Sequence, residues 1–245
     1  KSKITSKTRA IVLINPNNPT GAVYDKALLQ EVVEVAREHG LVVFSDEIYD
    51  KILYDEAQHT SIASLADDVF FVTFGGLSKN YRVAGFRSGW LVVSGNKRLA
   101  SDYIDGLNIL SSMRMCANVP CQSAIQTALG GYQSINDLVN ENGRLRIQRD
   151  VTTDMLNGID GISCVKPKGA MYCFAKVDEK KFNIHNDEQM VLDLLSSEKI
   201  LLVHGRAFNL TEGTYFRLVF LPHSDVLVPA LHRIGNFFRT YKQGA

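Results

Sequence analysis

The first part of the chain alternates short apolar runs with an amphipathic segment. Four runs rich in Val, Ile and Phe occupy residues 9–14, 41–46, 70–75 and 90–95, and polar residues rarely interrupt them. Such runs are typical of strands that are covered on both faces of a sheet. We therefore predict four buried strands within residues 9–95.

The segment between the first two runs has the spacing of a helix. Residues 25–40, DKALLQEVVEVAREHG, place apolar side chains three and four positions apart, with Asp25 as a suitable N-cap and Gly40 as a C-terminal stop. Strand, helix and strand in this order predict a mainly parallel sheet with crossover helices. Ligands of such sheets bind at the carboxyl ends of the strands.

The pattern changes after the fourth run. Residues 96–158 are mainly helical by their pattern, with breaks near 118–120 and 140–144 and a helix expected over 144–157. Further apolar runs at 162–167, 170–177, 200–205 and 215–221 alternate with predicted helices at 186–198 and 224–242. We predict an α/β fold in which residues 1–144 belong to a large domain with a mainly parallel sheet and residues 145–245 form a smaller α+β domain.

Composition narrows the classes of partner. Lys and Arg total 27 against 26 Asp and Glu, so no broad basic surface for nucleic acid is expected. No apolar run approaches the roughly 18 residues that a membrane span needs, and no histidine pairs with another ligand at metal spacing. The four cysteines include no C-x-x-C pair, which indicates reduced thiols and a cytoplasmic protein.

Polar residues follow the proposed strands at their carboxyl ends. The motif NPNNPTG at residues 15–21 forms a stiff turn after the first run, and Ser45, Asp46, Glu47 and Tyr49 follow the second. A carboxylate at the end of a buried run needs a cationic or hydrogen-bonding partner, so we expect one for Asp46. Taken alone, the motif can be a simple turn and Asp46 a salt-bridge or capping residue.

The loop after the third run, GGLSKNYRVAGFRSG, contains a lysine and two arginines. A lysine in a partly desolvated pocket has its charged form disfavoured, which frees the amine to form Schiff bases, although a solvated loop lysine is the simpler alternative. Gly75 and Gly76 are expected to make room for an anion that Arg87 binds, while Arg82 has a structural role at most. The loop therefore suits a cofactor that carries an aldehyde and a phosphate.

The combined motifs NPNNPTG, SDEIYDKILY, GLSKNYRVAGFRSGW and FRLVF identify a resemblance to a known family. From about residue 9 to its end, the chain resembles the class I and II aminotransferases, which are pyridoxal-phosphate enzymes of fold type I. The resemblance is strongest to bacterial members that exchange amino groups between glutamate and pyruvate. It implies a cytoplasmic homodimer that acts on a small amino acid and a 2-oxo acid, with neither nucleic acid nor a membrane as partner.

The resemblance also assigns roles to residues of this chain. Lys79 forms the Schiff base with pyridoxal phosphate and afterwards acts as the general base. Asp46 pairs with the pyridine nitrogen and keeps it protonated, so that the ring withdraws electrons. Tyr49 and Asn18 hydrogen-bond the phenolic oxygen of the cofactor.

The remaining roles concern the phosphate and the substrate. By the same resemblance, Ser78 and Arg87 hold the phosphate, and Arg217 binds the substrate α-carboxylate in a fork that Asn18 also touches. Many relatives carry a serine ligand three residues before the lysine, where this chain has Gly76. We expect the missing cradle of the phosphate to lie in sequence upstream of this chain, which begins without Met and is interpreted as a C-terminal fragment with weak or no activity by itself.

Two alternatives remain at this point. A lyase on the same scaffold would use the same cofactor residues, because these determine the electron sink and not the bond that is broken. An effector-binding domain of an aminotransferase-like transcription regulator would also keep the lysine.

Overall fold

A computed structural model of the chain describes residues 1–244. Its strands are β1 (Ala10–Ile14), β2 (Val42–Asp46), β3 (Phe70–Gly76), β4 (Gly89–Gly95), β5 (Ile162–Cys164), β6 (Tyr172–Val177), β7 (Val203–His204) and β8 (Thr214–Val219). Its α-helices are α1 (Lys26–His39), α2 (Ser101–Arg114), α3 (Val119–Gly130), α4 (Asn136–Val139), α5 (Arg144–Asn157), α6 (Glu179–Phe182), α7 (Asp187–Glu198) and α8 (Ser224–Thr240).

The chain divides into two compact units. The first contains Lys1–Pro16 and Val23–Asn136, and the second contains Asn17–Ala22 together with the chain from Asp137 onwards. The short segment after β1 therefore belongs to the second unit by its contacts. The predicted domain division between residues 144 and 145 stays a prediction, because compactness alone does not define a domain.

The first unit is built on a four-stranded sheet in the order β1-β2-β3-β4. β1 and β2 are parallel, β2 and β3 are parallel, and β4 is antiparallel to β3. The mainly parallel sheet that the sequence predicts is therefore confirmed. The carboxyl ends of β1, β2 and β3 lie at one edge of the sheet.

Helix α1 forms where the amphipathic pattern predicts it. The side chain of Asp25 caps it by accepting the N–H of Leu28 at 2.8 Å, and Gly40 ends it in the left-handed conformation with φ 62°. The buried face of α1 packs against one face of the sheet. This core contains Leu29, Val33, Ala36, Leu41, Val43, Ile62, Val69 and Phe71.

The expectation that all four strands are buried on both faces is wrong for two of them. Val43, Phe71 and Val72 are fully buried in β2 and β3, but Val12 in β1 is 72% exposed and Val92 in β4 is 51% exposed. An apolar run indicates which segment can be buried, whereas burial also needs a second element packed against each face. Among residues 1–244, α1 covers the face of β1 opposite Val12.

The helical middle of the chain and its breaks are confirmed. Residues 115–118 separate α2 from α3, residues 140–143 separate α4 from α5, and α5 has the predicted bounds of 144–157. The second unit contains an antiparallel sheet in the order β5-β6-β8-β7. Helix α5 packs against α8, β5 and β6, and α7 packs against α8, β7 and β8.

The run at residues 200–205 forms a shorter strand than its composition predicts. Only Val203–His204 pairs with β8, at the outer edge of the sheet, and Leu201 is 75% exposed. An edge strand has one neighbour, so few backbone bonds extend it. A 3-10 helix at Gly205–Phe208 follows it directly.

Candidate active site

Asp46 stands at the carboxyl end of β2, at the edge where parallel strands place ligands. Its Oδ1 accepts the backbone N–H of Ile48 at 3.1 Å, which supplies the hydrogen-bonding partner that the sequence predicts. Within residues 1–244 no cation lies at ion-pair distance from this half-buried carboxylate. An ionised carboxylate has about four acceptor sites, so Asp46 can accept further donors.

Tyr49 and Glu47 lie in the turn that follows. Tyr49 is buried, and the N–H of Ile52 bonds to its carbonyl at 2.8 Å, which closes the turn. Glu47 is also buried and points to the opposite side from Asp46, as the alternation of an extended segment requires. Asp46 therefore lies at the carboxyl end of β2, while the side chain of Glu47 is buried on the opposite side of the turn.

Glu47, which by sequence is only one of the polar residues after the second run, is the centre of a polar cluster. Its Oε1 accepts the hydroxyls of Ser45 and Ser61, both at 2.9 Å, and its Oε2 lies 3.8 Å from Nε2 of His59. Burial raises the pKa of the Glu47 carboxyl, and the nearby His59 and the two hydroxyls partly offset that rise. The available signal was the position of Glu47 two residues after Ser45, on the same buried face of the strand.

Lys79 follows the carboxyl end of β3, the strand next to β2. Its side chain is half-buried, and its Nζ makes no hydrogen bond or ion pair with the part of the chain that the structure describes. The backbone carbonyl of Lys79 accepts the N–H of Arg82 at 3.1 Å, so the loop turns directly after the lysine. Ser78, the preceding residue, is half-buried as well.

The room that Gly75 and Gly76 are expected to make for a phosphate stays a prediction, and the structure shows a further reason for these glycines. A Cβ on Gly75 would lie 2.4 Å from Nε1 of Trp90, and one on Gly76 would lie 3.1 Å from the Ile48 side chain and 3.3 Å from the Gly89 Cα. The glycines are therefore required by the close approach of β4 and of the turn after β2. The sequence alone does not show which neighbour fills that space.

The two arginines of this loop differ in their contacts. Arg87 is exposed, has φ 52° and donates from Nη1 to the Ala84 carbonyl at 2.7 Å, which leaves Nε and Nη2 for a ligand. Arg82 donates to the hydroxyl of Ser134 at 2.7 Å, in agreement with a structural role.

Asn18 lies in the segment Asn17–Ala22 of the second unit. The N–H of Asn17 bonds to the Ala22 carbonyl at 2.8 Å, the N–H of Gly21 bonds to the Asn17 carbonyl at 2.9 Å, and the peptide bond from Asn18 to Pro19 is cis. Gly21 has φ 68° and its carbonyl accepts the N–H groups of Lys168 and Gly169, both at 2.9 Å. These bonds hold the turn against the start of the segment that leads into β6.

Arg217 in β8 is the direct partner of Asn18. Its Nη1 donates to Oδ1 of Asn18 at 2.8 Å, while its guanidinium lies over the rings of Tyr172 and Phe208, at 4.6 and 4.9 Å from their centroids. Its Nε is buried and has no hydrogen-bond partner within residues 1–244. Because Asn18 uses its oxygen here, its amide N–H groups stay available as donors.

The predicted site residues thus fall into two groups. In the first unit, Asp46 and Lys79 follow adjacent parallel strands, and Tyr49, Ser78 and Arg87 lie in the same two loops. In the second unit, Asn18 and Arg217 are in contact. Residues 1–244 contain no group of three His, Cys, Asp or Glu side chains arranged to hold a metal ion, and none of their helices is long and apolar enough to cross a membrane.

Comparisons with known proteins place the chain in one protein family. A family model described as aminotransferase class I and II matches residues 1–234. The chain is 59% identical over 243 residues to glutamate-pyruvate aminotransferase AlaA of Haemophilus influenzae, covering 99% of this chain and 60% of that protein. It is 55% identical over 243 residues to alanine aminotransferase of Mycobacterium bovis, covering 99% of this chain and 57% of that protein.

A solved structure is similar throughout the chain. The crystal structure of an aminotransferase from Escherichia coli matches with a TM-score of 0.98 at 58% identity, covering 99% of this chain and 60% of that one. The chain therefore spans about 60% of the length of these relatives.

Proposed function

Because the chain belongs to the class I and II aminotransferase family, we propose that it is part of an aminotransferase that uses pyridoxal phosphate. The reaction moves an amino group between an amino acid and a 2-oxo acid. The observation that carries this proposal is the placement of Asp46 and Lys79 at the carboxyl ends of adjacent parallel strands. Asp46 ends β2 with free acceptor sites, and Lys79 lies in the loop after β3 with no partner for its amine in residues 1–244. The names of relatives at 59% and 55% identity favour glutamate and 2-oxoglutarate with pyruvate and alanine as the substrates.

The residues present fit pyridoxal phosphate by the chemistry of their donors and acceptors. A protonated ring nitrogen needs an acceptor, an aldehyde needs an amine, and a phosphate needs cations and hydroxyls. Asp46, Lys79, Ser78 and Arg87 offer these groups, and the contacts described above leave each with free capacity. When bound, the cofactor supplies an aldehyde that reacts with amines and a ring that withdraws electrons from the substrate α carbon.

Asp46 and Lys79 perform the central tasks in this proposal. Asp46 would accept a hydrogen bond from the protonated ring nitrogen and so keep the proton on that nitrogen. Lys79 would hold the cofactor through its amine, and with that amine released it would act as the general base that moves the α proton of the substrate to the C4' carbon of the cofactor.

The other residues bind and orient. Tyr49 and the amide of Asn18 would donate hydrogen bonds to the phenolic oxygen, and Ser78 with Nε and Nη2 of Arg87 would bind the phosphate. Arg217 binds the substrate α-carboxylate. A guanidinium that Asn18 holds at 2.8 Å is already oriented, so it loses less rotamer entropy when the carboxylate arrives.

The proposal also covers the oligomeric state and the cellular location of the enzyme. We propose a homodimer in the cytoplasm, which rests on the family and on the cysteine pattern. The weak or absent activity expected for residues 1–245 alone stays a prediction, and turnover of this chain near that of the full-length protein would contradict it.

The central assignment can be tested by chemical labelling. The full-length protein loaded with pyridoxal phosphate is reduced with borohydride and mapped by peptide mass spectrometry, and we expect a pyridoxyl group on Lys79. Lys79→Arg keeps the positive charge and should lose the label. Lys51→Arg is the matched control, because Lys51 is engaged with Gln133 at 2.8 Å and should not affect labelling. A label on another lysine in the wild-type protein would overturn the assignment.

The reaction type needs a separate assay. With glutamate and pyruvate, we expect alanine and 2-oxoglutarate in equal amounts. Ammonia and pyruvate released from cysteine, without amino transfer, would point to a lyase on the same scaffold instead.

A further inference from the structure

Two aromatic rings lie close to the guanidinium of Arg217. The rings of Tyr172 and Phe208 lie at 4.6 and 4.9 Å from its central carbon, and Asn18 takes a hydrogen bond from one edge. A cation close to two aromatic rings is attracted to both, so a change in its orientation weakens at least one contact. The unpartnered Nε–H of Arg217 stays available for a ligand in the guanidinium plane.

Phe208 is more than a core residue in this arrangement. It is only partly buried and lies at the end of the 3-10 helix Gly205–Phe208. Besides Arg217, its ring contacts the ring of Phe174 edge-on, with the centroids 5.9 Å apart. The short helix leaves β7 beside Arg217, since Val203 is the strand partner of Arg217. The position of the Phe208 ring thus depends on how this short helix is held.

The buried carboxylate of Asp187 contacts this short helix. Asp187, the first residue of α7, is 3% exposed, and its Oδ2 accepts the backbone N–H of Arg206 at 2.9 Å. Its Oδ1 lies 3.6 Å from Nδ1 of His204 and 3.6 Å from Nε of Arg206. Asp187 therefore contacts the start and the middle of the segment that leads to Phe208.

We propose that Phe208 is a positioning residue for Arg217 and that Asp187 fixes Phe208 in turn. Together they keep the guanidinium in one plane, so that it selects ligands with a planar carboxylate over ligands without one. The inference rests on the proposed role of Arg217 in binding the substrate α-carboxylate. It adds residues to that role which neither contact the cofactor nor carry out the reaction.

The test compares ligands with and without a carboxylate in the full-length protein loaded with pyridoxal phosphate. The half-reaction is followed by the absorbance of the bound cofactor with alanine and with ethylamine, and propionate binding is measured by ligand-observed NMR. Phe208→Leu should lower kcat/KM for alanine about 5- to 30-fold and weaken propionate binding similarly, the range expected for losing one ring face. The rate with ethylamine should stay within about twofold, because ethylamine has no carboxylate.

Two variants separate the ring face from general packing. Phe208→Tyr keeps the ring and should restore the selectivity for alanine. Phe237→Leu removes a ring of the same unit that packs against Phe238 and Tyr241, and it should affect alanine and ethylamine equally. An equal loss with both substrates in Phe208→Leu, or no rescue in Phe208→Tyr, would overturn the inference.

Asp187 and Arg217 complete the set. Asp187→Asn keeps an acceptor for the Arg206 N–H but removes the charge, and it should reduce the preference for alanine by less than Phe208→Leu does; an unchanged preference would remove Asp187 from the inference. Arg217→Lys should lose the preference for the carboxylate. If it does not, the proposed role of Arg217 fails, whereas a loss in Arg217→Lys without one in Phe208→Leu refutes only the positioning role.

Discussion

Gly21 is the glycine whose replacement should disturb the turn of Asn18 most directly. Its φ of 68° is in the left-handed region, and a Cβ there would lie 2.5 Å from Cβ of Pro167 and 3.0 Å from the Gly169 carbonyl oxygen. Pro167 and Gly169 belong to the segment whose backbone N–H groups donate hydrogen bonds to the Gly21 carbonyl. Gly21→Ala therefore has to strain the backbone and separate two packed segments at once.

The expected cost follows from these two effects. A non-glycine residue in the left-handed region costs about 1–2 kcal/mol, and an added methyl group in a packed site costs about 1–3 kcal/mol. The free energy of unfolding should therefore fall by roughly 2–5 kcal/mol, a large part of the ~5–15 kcal/mol typical of a domain.

Urea unfolding of the full-length protein, followed by circular dichroism, measures this loss. Gly40→Ala is the matched control. Gly40 has φ 62°, but nothing lies within 4 Å of the position of its added Cβ, so this variant carries the backbone strain alone. We expect Gly21→Ala to be less stable than Gly40→Ala by about 1–3 kcal/mol. Equal losses in both variants would refute the argument that Pro167 and Gly169 leave no space.

Three further predictions concern other parts of the chain. Asn18→Ala removes a charge-assisted hydrogen bond of about 1.5–3 kcal/mol from Arg217, so kcat/KM for alanine should fall roughly 10- to 100-fold; an unchanged value would contradict the role of this contact. Leu29→Ala should lower the free energy of unfolding by about 2–5 kcal/mol, because Leu29 is fully buried, while Leu28→Ala, at a position 43% exposed, should cost much less in the same urea titration. Burial raises the pKa of Glu47 above its ordinary 4.5, so its favourable contribution is fully present below pH 4.5 and is lost as the pH rises through the raised value. Glu47→Gln cannot ionise, so its melting temperature should rise relative to that of the wild type between about pH 4 and pH 7. A constant difference in melting temperature would show that Glu47, which lies near His59 and Asp50, does not titrate in this range.

Local features of the chain were predictable because local forces determine them. The helix of residues 25–40 follows from its apolar spacing and its two end residues, and the three parallel strands follow from apolar runs separated by a crossover helix. The ends of these strands then indicated Asp46 and Lys79 as candidate residues. None of these predictions needed knowledge of a distant contact.

Features that depend on distant packing were predicted less well. The runs of β1 and β4 look buried, but an apolar run does not reveal whether a second element covers each face. Likewise, Gly75 was interpreted as leaving room for an anion, but the structure shows that it also lets Trp90 approach, at 2.4 Å from the position of an added Cβ. Glycine in a sequence shows that something approaches closely, and only the folded chain shows what it is.

By itself, the sequence determined the order of strands and helices, the loops that carry chemistry and the family to which they belong. The tertiary structure decided how Arg217 is held. Asn18 is 199 positions away along the chain, and Phe208 reaches the guanidinium through a short helix that Asp187 anchors. No periodicity or motif encodes such contacts, because they arise only when segments far apart in the chain pack together.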